Sequence, residues 1–222
     1  MHCDFQTPSV SWSTPQSHYQ IKRAKFQDLQ DLADLLTTCF HHQLQRQWFY
    51  PLLRLGVCED LRQRLKSSGP HHTCWTAWEL YSPLLSPGLP RPPASRLVGT
   101  VEVDVRHPWP WSAEGFWRSQ NPKQPVAYAY VSNLAVCQDA RRRGIAKHLL
   151  QAGEQTARRW GFPRVYLHVL ENNQQARQLY QEAGYYLVRI DAGWETYILG
   201  RPRQFLLGKT LKSPPVESSV GA

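Results

Sequence analysis

Three consecutive arginines and a glycine, Arg141-Arg142-Arg143-Gly144-Ile145-Ala146, stand between a run that alternates like a strand and a run with helical apolar spacing. A basic turn that opens a helix is an anion cradle, because the free amides at a helix amino terminus point at a ligand and the dipole there favours negative charge. Gly144 lets the backbone approach a phosphate with no side chain in the way, and Ala146 keeps a second close approach small. The Gly-Lys-Ser/Thr ending of a P-loop is missing, as are the three glycines of a dinucleotide fingerprint. Cys39-Phe40-His41-His42 and His71-His72-Thr73-Cys74 superficially suggest zinc ligands. Neither has finger spacing and the first falls at a helix end, so no metal is predicted.

The elements that must position this turn follow from periodicity. Tyr19 to Arg23 alternates like a first strand, and Leu29, Leu32, Ala33, Leu36 and Phe40 recur at helical spacing after it. Leu52, Leu55, Leu61 and Leu65 predict a second helix that ends in Ser67-Ser68-Gly69-Pro70. Residues 74–80 and 96–105 read as strands, separated by a proline-rich excursion over 81–95. A second Pro/Trp-rich excursion occupies 106–125; its Trp109, Trp111, Phe116 and Trp117 either line a groove or pack against the sheet. Residues 127–136 form a strand, and Ile145, Leu149, Gly153, Ala157 and Trp160 mark one face of a helix that Gly161 stops. A strand over 164–170 follows, then a short helix capped by Asn173 and ended by Gly184, with closing strands over 185–190 and 194–200 that Phe205 to Leu207 prolong.

With its flanks, the arginine-glycine turn resembles the GCN5-related N-acetyltransferase (GNAT) superfamily, whose acyl-CoA signature is Gln/Arg-x-x-Gly-x-Gly/Ala. Arg141, Gly144 and Ala146 match it. Asn133-Leu134-Ala135-Val136 stands before the turn, and Leu167-His168-Val169, Asn173, Ala176, Leu179-Tyr180 and Gly184-Tyr185 stand after it, in the family's order. The resemblance covers residues 128–188, and a similarity to the plastid and cyanobacterial branch extends through Trp194, Thr196 and Gly200-Arg201-Pro202-Arg203. It implies an α/β fold with a mixed, centrally splayed sheet flanked by helices, placed here over residues 18–211. The Ser/Pro-rich residues 1–17 read as a disordered arm and 212–222 as a tail.

The resemblance further implies that acetyl-CoA, as co-substrate, lies in the opening between two splayed strands, residues 130–136 and 165–170. Main-chain groups of Leu134, Ala135 and Val136 would pair with its pantetheine arm like an added strand, and an amide near Val136 would polarise the thioester carbonyl. The pyrophosphate would rest on the turn that Arg141 opens, on amides of Arg142, Arg143, Gly144, Ile145, Ala146 and Lys147. Asn173, Gln174 and Gln175 match a later contact with the pantetheine, and Tyr180 matches the tyrosine that protonates the departing thiolate.

An amine must be neutral to attack a thioester, yet lysine titrates near ~10.4 and an α-amine near ~8, so a proton acceptor is required. Alternation puts Tyr130, Ser132 and Leu134 on one face of their strand, and His168 is central in its own, so Tyr130 and His168 are expected to share a water. Some protein N-terminal acetyltransferases have a Tyr and a His at the matching positions. Glu102 on the preceding strand is the alternative base, tuned upward by burial. A covalent route through Cys137 lacks a histidine beside it in sequence, which favours direct transfer. The acceptor is read first as a protein α-amine or lysine and second as a small arylalkylamine such as serotonin. A catalytically silent acyl-CoA sensor would keep the cradle while Tyr180 served only packing.

Across 222 residues, 41% hydrophobic content with 19% charged residues excludes a disordered, collagenous or coiled-coil chain. Lys and Arg exceed Asp and Glu by 26 to 17, a formal +9 that suits an anionic ligand. The basic residues are scattered and accompany no recognised nucleic-acid motif, so nucleic acid is not expected as a partner. No window holds the roughly 18 apolar residues of a membrane span, so no membrane partner is expected either. The odd set of five cysteines without framework spacing suits a reducing compartment, read as cytoplasm ahead of plastid stroma. Exposed sheet edges are compatible with a monomer or a homodimer.

Overall fold

The computed structural model describes residues 10–14, 17–41, 47, 49–66, 69–80, 95–107, 127–191 and 202–211. Eight strands are ordered β1-β2-β3-β4-β5-β6-β8-β7 in one mixed sheet. In chain order these are β1 (Val10–Thr14), β2 (Ser17–Arg23), β3 (His72–Leu80), β4 (Ser95–Arg106), β5 (Tyr128–Val136), β6 (Arg164–Leu170), β7 (Tyr186–Asp191) and β8 (Gln204–Thr210). The helices are α1 (Leu29–His41), α2 (Tyr50–Lys66), α3 (Ile145–Arg159) and α4 (Gln174–Glu182). The chain divides into two compact units, Met1–Glu102 with Asn133–Leu150, and Val103–Ser132 with Gln151–Ala222.

In the first unit, β1 pairs antiparallel with β2 from Val10↔Ile21 to Thr14↔Ser17, and β2 pairs antiparallel with β3. The expectation of a disordered arm through residue 17 therefore fails at β1. Val10, Trp12 and Thr14 are half-buried while Ser11 and Ser13 face solvent, the two-residue period of a strand covered on one side. The core gathers Leu29, Leu32, Ala33 and Leu36 of α1 with Cys58 and Leu61 of α2, Trp78 of β3, Leu97 of β4 and Ala135 of β5. A 3₁₀ turn, Phe26–Asp28, leads into α1, and the Asp28 carboxylate accepts the Lys25 amide at 2.8 Å to brace it. The apolar spacing of α2 overstates its burial: Cys58 and Leu61 are inside, whereas Leu52 and Leu55 are more than 60% exposed.

In the second unit, β6 pairs antiparallel with β8 from Arg164↔Thr210 to Leu170↔Gln204, and β8 pairs antiparallel with β7. The parallel ladder of β5 and β6 is much shorter, Ala129↔Val165 and Tyr130↔Tyr166. Val131 and Ser132 of β5, and β6 from Leu167 on, continue beyond that ladder, as a splayed pair must. Tyr130, Tyr166 and Leu206 pack together, with Tyr128 and Val188 against them. Helix α4 is bounded as its sequence dictates: the Asn173 side chain accepts the Ala176 amide at 3.1 Å, and Gly184 takes the left-handed φ of +86° that ends it.

The strand expected over 194–200, with Trp194, Thr196 and Gly200, lies outside the described residues. So do most of the two proline-rich excursions, including Trp109, Trp111, Phe116 and Trp117, and the tail from residue 212.

Candidate active site

The basic turn belongs to the first unit. β5 carries a left-handed residue, Asn133 at φ +51°, before Leu134, Ala135 and Val136 complete it. A 3₁₀ turn, Gln138–Ala140, then precedes Arg142 at φ +66° and Gly144 at φ +80°. Two left-handed residues so close together fold the chain back on itself before α3. At the start of α3 the His148 N–H donates to the Gly144 carbonyl at 3.1 Å, so the amides of Ile145, Ala146 and Lys147 have no intrahelical acceptor. These are the donors the sequence assigns to an anion.

The three arginines differ sharply in what their side chains do. Arg141 Nε donates to the Val136 carbonyl at 3.3 Å, tying the turn to the strand it leaves. Arg143 turns inward, donating to Tyr19 Oη and Glu79 Oε1 at 2.9 Å each and to the Asp139 carbonyl at 3.1 Å. Arg142 is exposed and its guanidinium bonds to no side chain among the described residues. Arg142, and the Nη groups of the exposed Arg141, thus remain at the surface for a ligand, while Arg143 would contribute through its main chain.

Glu79, only 3% exposed, anchors this loop. Besides Arg143 it accepts from Ser17 Oγ at 2.8 Å, Tyr19 Oη at 3.1 Å and Arg96 Nη2 at 3.0 Å. Burial pushes its carboxyl upward, but the hydrogen bonds from Ser17, Arg96 and Tyr19 outweigh burial and hold it below the usual range. Arg96 also pairs with Asp139 at 2.6 Å, and that bond is the main reason the Asp139 carboxyl is lowered. Trp12 stacks on His148 of α3 at a centroid distance of 4.2 Å and on Tyr19 at 5.2 Å. Burial, then the Lys147 charge, lowers His148 below the ordinary histidine range, so it is neutral against the indole at pH 7.

The second unit contains the proton-transfer candidates. Tyr130 Oη lies 2.7 Å from His168 Nδ1, so the two bond directly instead of sharing a water. On the far side of the imidazole, His168 Nε2 lies 3.0 Å from Asp191 Oδ2. Arg189 grips the same carboxylate, Nε to Oδ1 at 2.5 Å and Nη2 to Oδ2 at 3.1 Å. Burial raises the Asp191 carboxyl, but the Arg189 and His168 hydrogen bonds reverse that and leave it lowered. The Arg106 guanidinium sits 3.4 Å above the centroid of the Tyr130 ring. Burial raises the Tyr130 phenol, and the Arg106 charge opposes it.

Tyr180 faces inward from α4 at 7% exposure, tilted against Tyr185, and its hydroxyl has no hydrogen-bond partner among the described residues. Burial, with a smaller contribution from Tyr130, pushes its pKa up to about 12. At neutral pH it therefore holds its proton, as a donor must.

Other expectations fare differently. Glu102 is 2% exposed, with Arg64 Nη1 at 3.0 Å and His72 Nε2 at 3.7 Å from its carboxylate. Burial raises it, yet the nearby His72 imidazole and the Arg64 charge outweigh burial, so the carboxyl is lowered instead of tuned upward as a base requires. Cys137 is raised, chiefly by burial, which keeps it a thiol and argues against a covalent route. Cys74 is pushed to about 12 and Cys39 to about 11 by burial, unsuited to thiolate ligation. Among the described residues no three His, Cys, Asp or Glu side chains form a metal-binding group. Asn173 spends its side chain on the α4 cap, while Gln174 and Gln175 are exposed beside it.

Sequence reasoning missed Asp191 and Trp12. Asp191 ends β7 and precedes Ala192-Gly193, so it reads as a turn residue. Trp12 sits between serines in a stretch whose alternation was the available signal.

The profile of the Acetyltransferase (GNAT) family matches residues 29–185, more than half of the chain. GCN5-related N-acetyltransferase 7, chloroplastic, of Arabidopsis thaliana is 32% identical over 92 residues, 41% of this chain and 34% of that protein. GCN5-related N-acetyltransferase 10, chloroplastic, from the same plant is 40% identical over 82 residues, 37% of this chain and 32% of that protein. The chain thus matches about a third of the length of these curated relatives. The crystal structure of Arabidopsis thaliana NAA60 in complex with acetyl-CoA superposes with a TM-score of 0.57 at 19% identity, covering 87% of this chain and 98% of that one. At that identity the likeness speaks for the fold alone.

Proposed function

We propose that this chain, which belongs to the GNAT acetyltransferase family, moves an acetyl group from acetyl-CoA to a primary amine, with protein α-amines and lysines as its first acceptors. The observation that carries this reading is the direct Tyr130–His168 hydrogen bond of 2.7 Å in a chain that matches the family across the acyl-CoA turn. Amides from Arg142 to Lys147, at a helix start with two left-handed residues, hold the pyrophosphate. The strand end Leu134, Ala135 and Val136 pairs with the pantetheine arm, and an amide near Val136 polarises the thioester carbonyl. Asn173, Gln174 and Gln175 supply the later pantetheine contact. A solved structure of similar fold is an acetyl-CoA complex, which agrees with that choice of acyl donor.

The amine nitrogen attacks the thioester carbonyl, a C–N bond forms and the C–S bond breaks. Tyr130 and His168 take the proton the nitrogen loses, and Tyr180 gives one to the departing sulfur. Each proton transfer contributes about 10²- to 10⁴-fold, so positioning supplies much of the remainder. Among the described residues no helix is long and apolar enough to cross a membrane. The relatives named above are called chloroplastic, which favours a plastid over the cytoplasm read from the cysteines; both compartments keep thiols reduced.

The test is a mass-spectrometric screen of the chain with acetyl-CoA and three acceptor sets: peptides with free α-amines, α-blocked peptides containing lysine, and arylalkylamines including serotonin. Acetylation of either peptide set is the expected result. Modification confined to the arylalkylamines would transfer the activity to small amines, and a thermal shift by acetyl-CoA with no acetylated product would leave only a sensor.

A further inference from the structure

The imidazole of His168 is held from both sides, and the two partners are chemically unequal. Asp191 is an ionised carboxylate, kept so by the two-point grip of Arg189, and an ionised carboxylate only accepts hydrogen bonds. The 3.0 Å contact from Asp191 Oδ2 to His168 Nε2 therefore requires the proton on Nε2. In the neutral ring Nδ1 is then a bare acceptor, and across 2.7 Å the Tyr130 hydroxyl is the donor.

We propose that Asp191 is a positioning residue that fixes His168 in the Nε2–H form, making the Tyr130 oxygen the group that meets the amine and His168 the sink for its proton. This rests on the acetyl-transfer reading. As the amine nitrogen bonds to the acetyl carbon, its proton passes to Tyr130 Oη while the Tyr130 proton passes to His168 Nδ1, so Tyr130 ends neutral and the imidazole ends as a cation. The Asp191 carboxylate faces that cation at Nε2. The C–S bond breaks, the sulfur takes the Tyr180 proton, and solvent then removes one proton from His168 and returns one to Tyr180, which restores every group. Two further charges bear on the chain of groups. Arg106, stacked over the phenol and 3.4 Å from Asp104, favours negative charge on Tyr130 during the transfer, and Arg189 keeps Asp191 from taking the proton itself. Within this chain of groups His168 of β6 and Asp191 of β7 are 23 residues apart in sequence, with β8 lying between their strands.

The experiment compares the parent with Asp191→Asn and Asp191→Glu by two readouts. The first is long-range ¹H–¹⁵N correlation of the imidazole nitrogens in alkaline buffer, with the His168 signals assigned by their loss in His168→Gln. The parent is expected to show a protonated Nε2 and a bare Nδ1. In Asp191→Asn the amide oxygen stays on Arg189 Nε, which turns the amide N–H toward Nε2 and moves the ring proton to Nδ1. The second readout is steady-state kinetics: kcat is expected to fall on the order of 10²-fold or more in Asp191→Asn with KM for acetyl-CoA within about twofold, and Asp191→Glu to recover part of the loss. A parent with its proton on Nδ1, or an Asp191→Asn variant with the parent's tautomer and kcat, would overturn the assignment. The tautomer is read without turnover, so a parent that acetylates nothing would sink the acetyl-transfer reading while the spectra still decide what Asp191 does.

Discussion

Tyr180 shows how a single environment can fit a residue to one role. Its pKa of about 12 keeps the phenol protonated through the working pH range, and its hydroxyl is uncommitted among the described residues. Tyr180→Phe is expected to lower kcat by about 10²-fold and leave acetyl-CoA affinity within about twofold, read by turnover and calorimetry on the same preparation. The same shift predicts a stability signature. A group whose folded pKa is raised contributes stability that is complete below the unfolded value, near ~10, and is lost as pH rises through the folded value. The parent should therefore lose stability between about pH 10 and about pH 12 more steeply than Tyr180→Phe in denaturant titrations. Tyr180, Tyr130 and His168 were legible because each falls at a family position or on a predictable strand face. Asp191 was not, because its meaning depends on β8 pairing between β6 and β7, an order that sequence distance hides.

At the scale of elements, the loop between β5 and α3 is held by charge as well as by backbone geometry. Glu79 joins Ser17 and Tyr19 of β2, Arg96 of β4 and Arg143 of the turn. Glu79→Gln is expected to cost about 1–3 kcal/mol near neutral pH, toward the lower end because Arg96 and Arg143 each reach solvent. A carboxyl lowered in the folded state stabilises above its unfolded pKa and loses that contribution as pH falls through the lowered value. The difference between parent and Glu79→Gln in urea unfolding should accordingly narrow on acidification below the ordinary carboxylate range. A gap that held constant into strong acid would show that Glu79 acts by packing alone. Sequence located β6 and the capped α4 closely, since strand alternation and cap residues are local properties. It lost β1, where serine and proline masked a half-buried period of two, and it overstated the inner face of α2, where leucines at helical spacing meet solvent.

For the molecule as a whole, the family was legible from residue order around one turn, and the mixed eight-strand sheet agrees with it. The acceptor was not, because no motif separates protein amines from arylalkylamines and the proline- and tryptophan-rich segments carry little periodic information. The claim on which every chemical step depends is that the start of α3 receives the diphosphate of an acyl-CoA. The direct measurement is a calorimetric titration of acetyl-CoA into the parent and into Gly144→Val, with circular dichroism as the check on folding. Gly144 is at φ +80°, where a β-branched residue is strained by about 1–2 kcal/mol and a side chain would stand in the cradle. Saturable one-to-one binding by the parent and at least about tenfold weaker binding by a folded Gly144→Val are expected. No heat with the parent, or equal affinity in the two proteins, would contradict that claim.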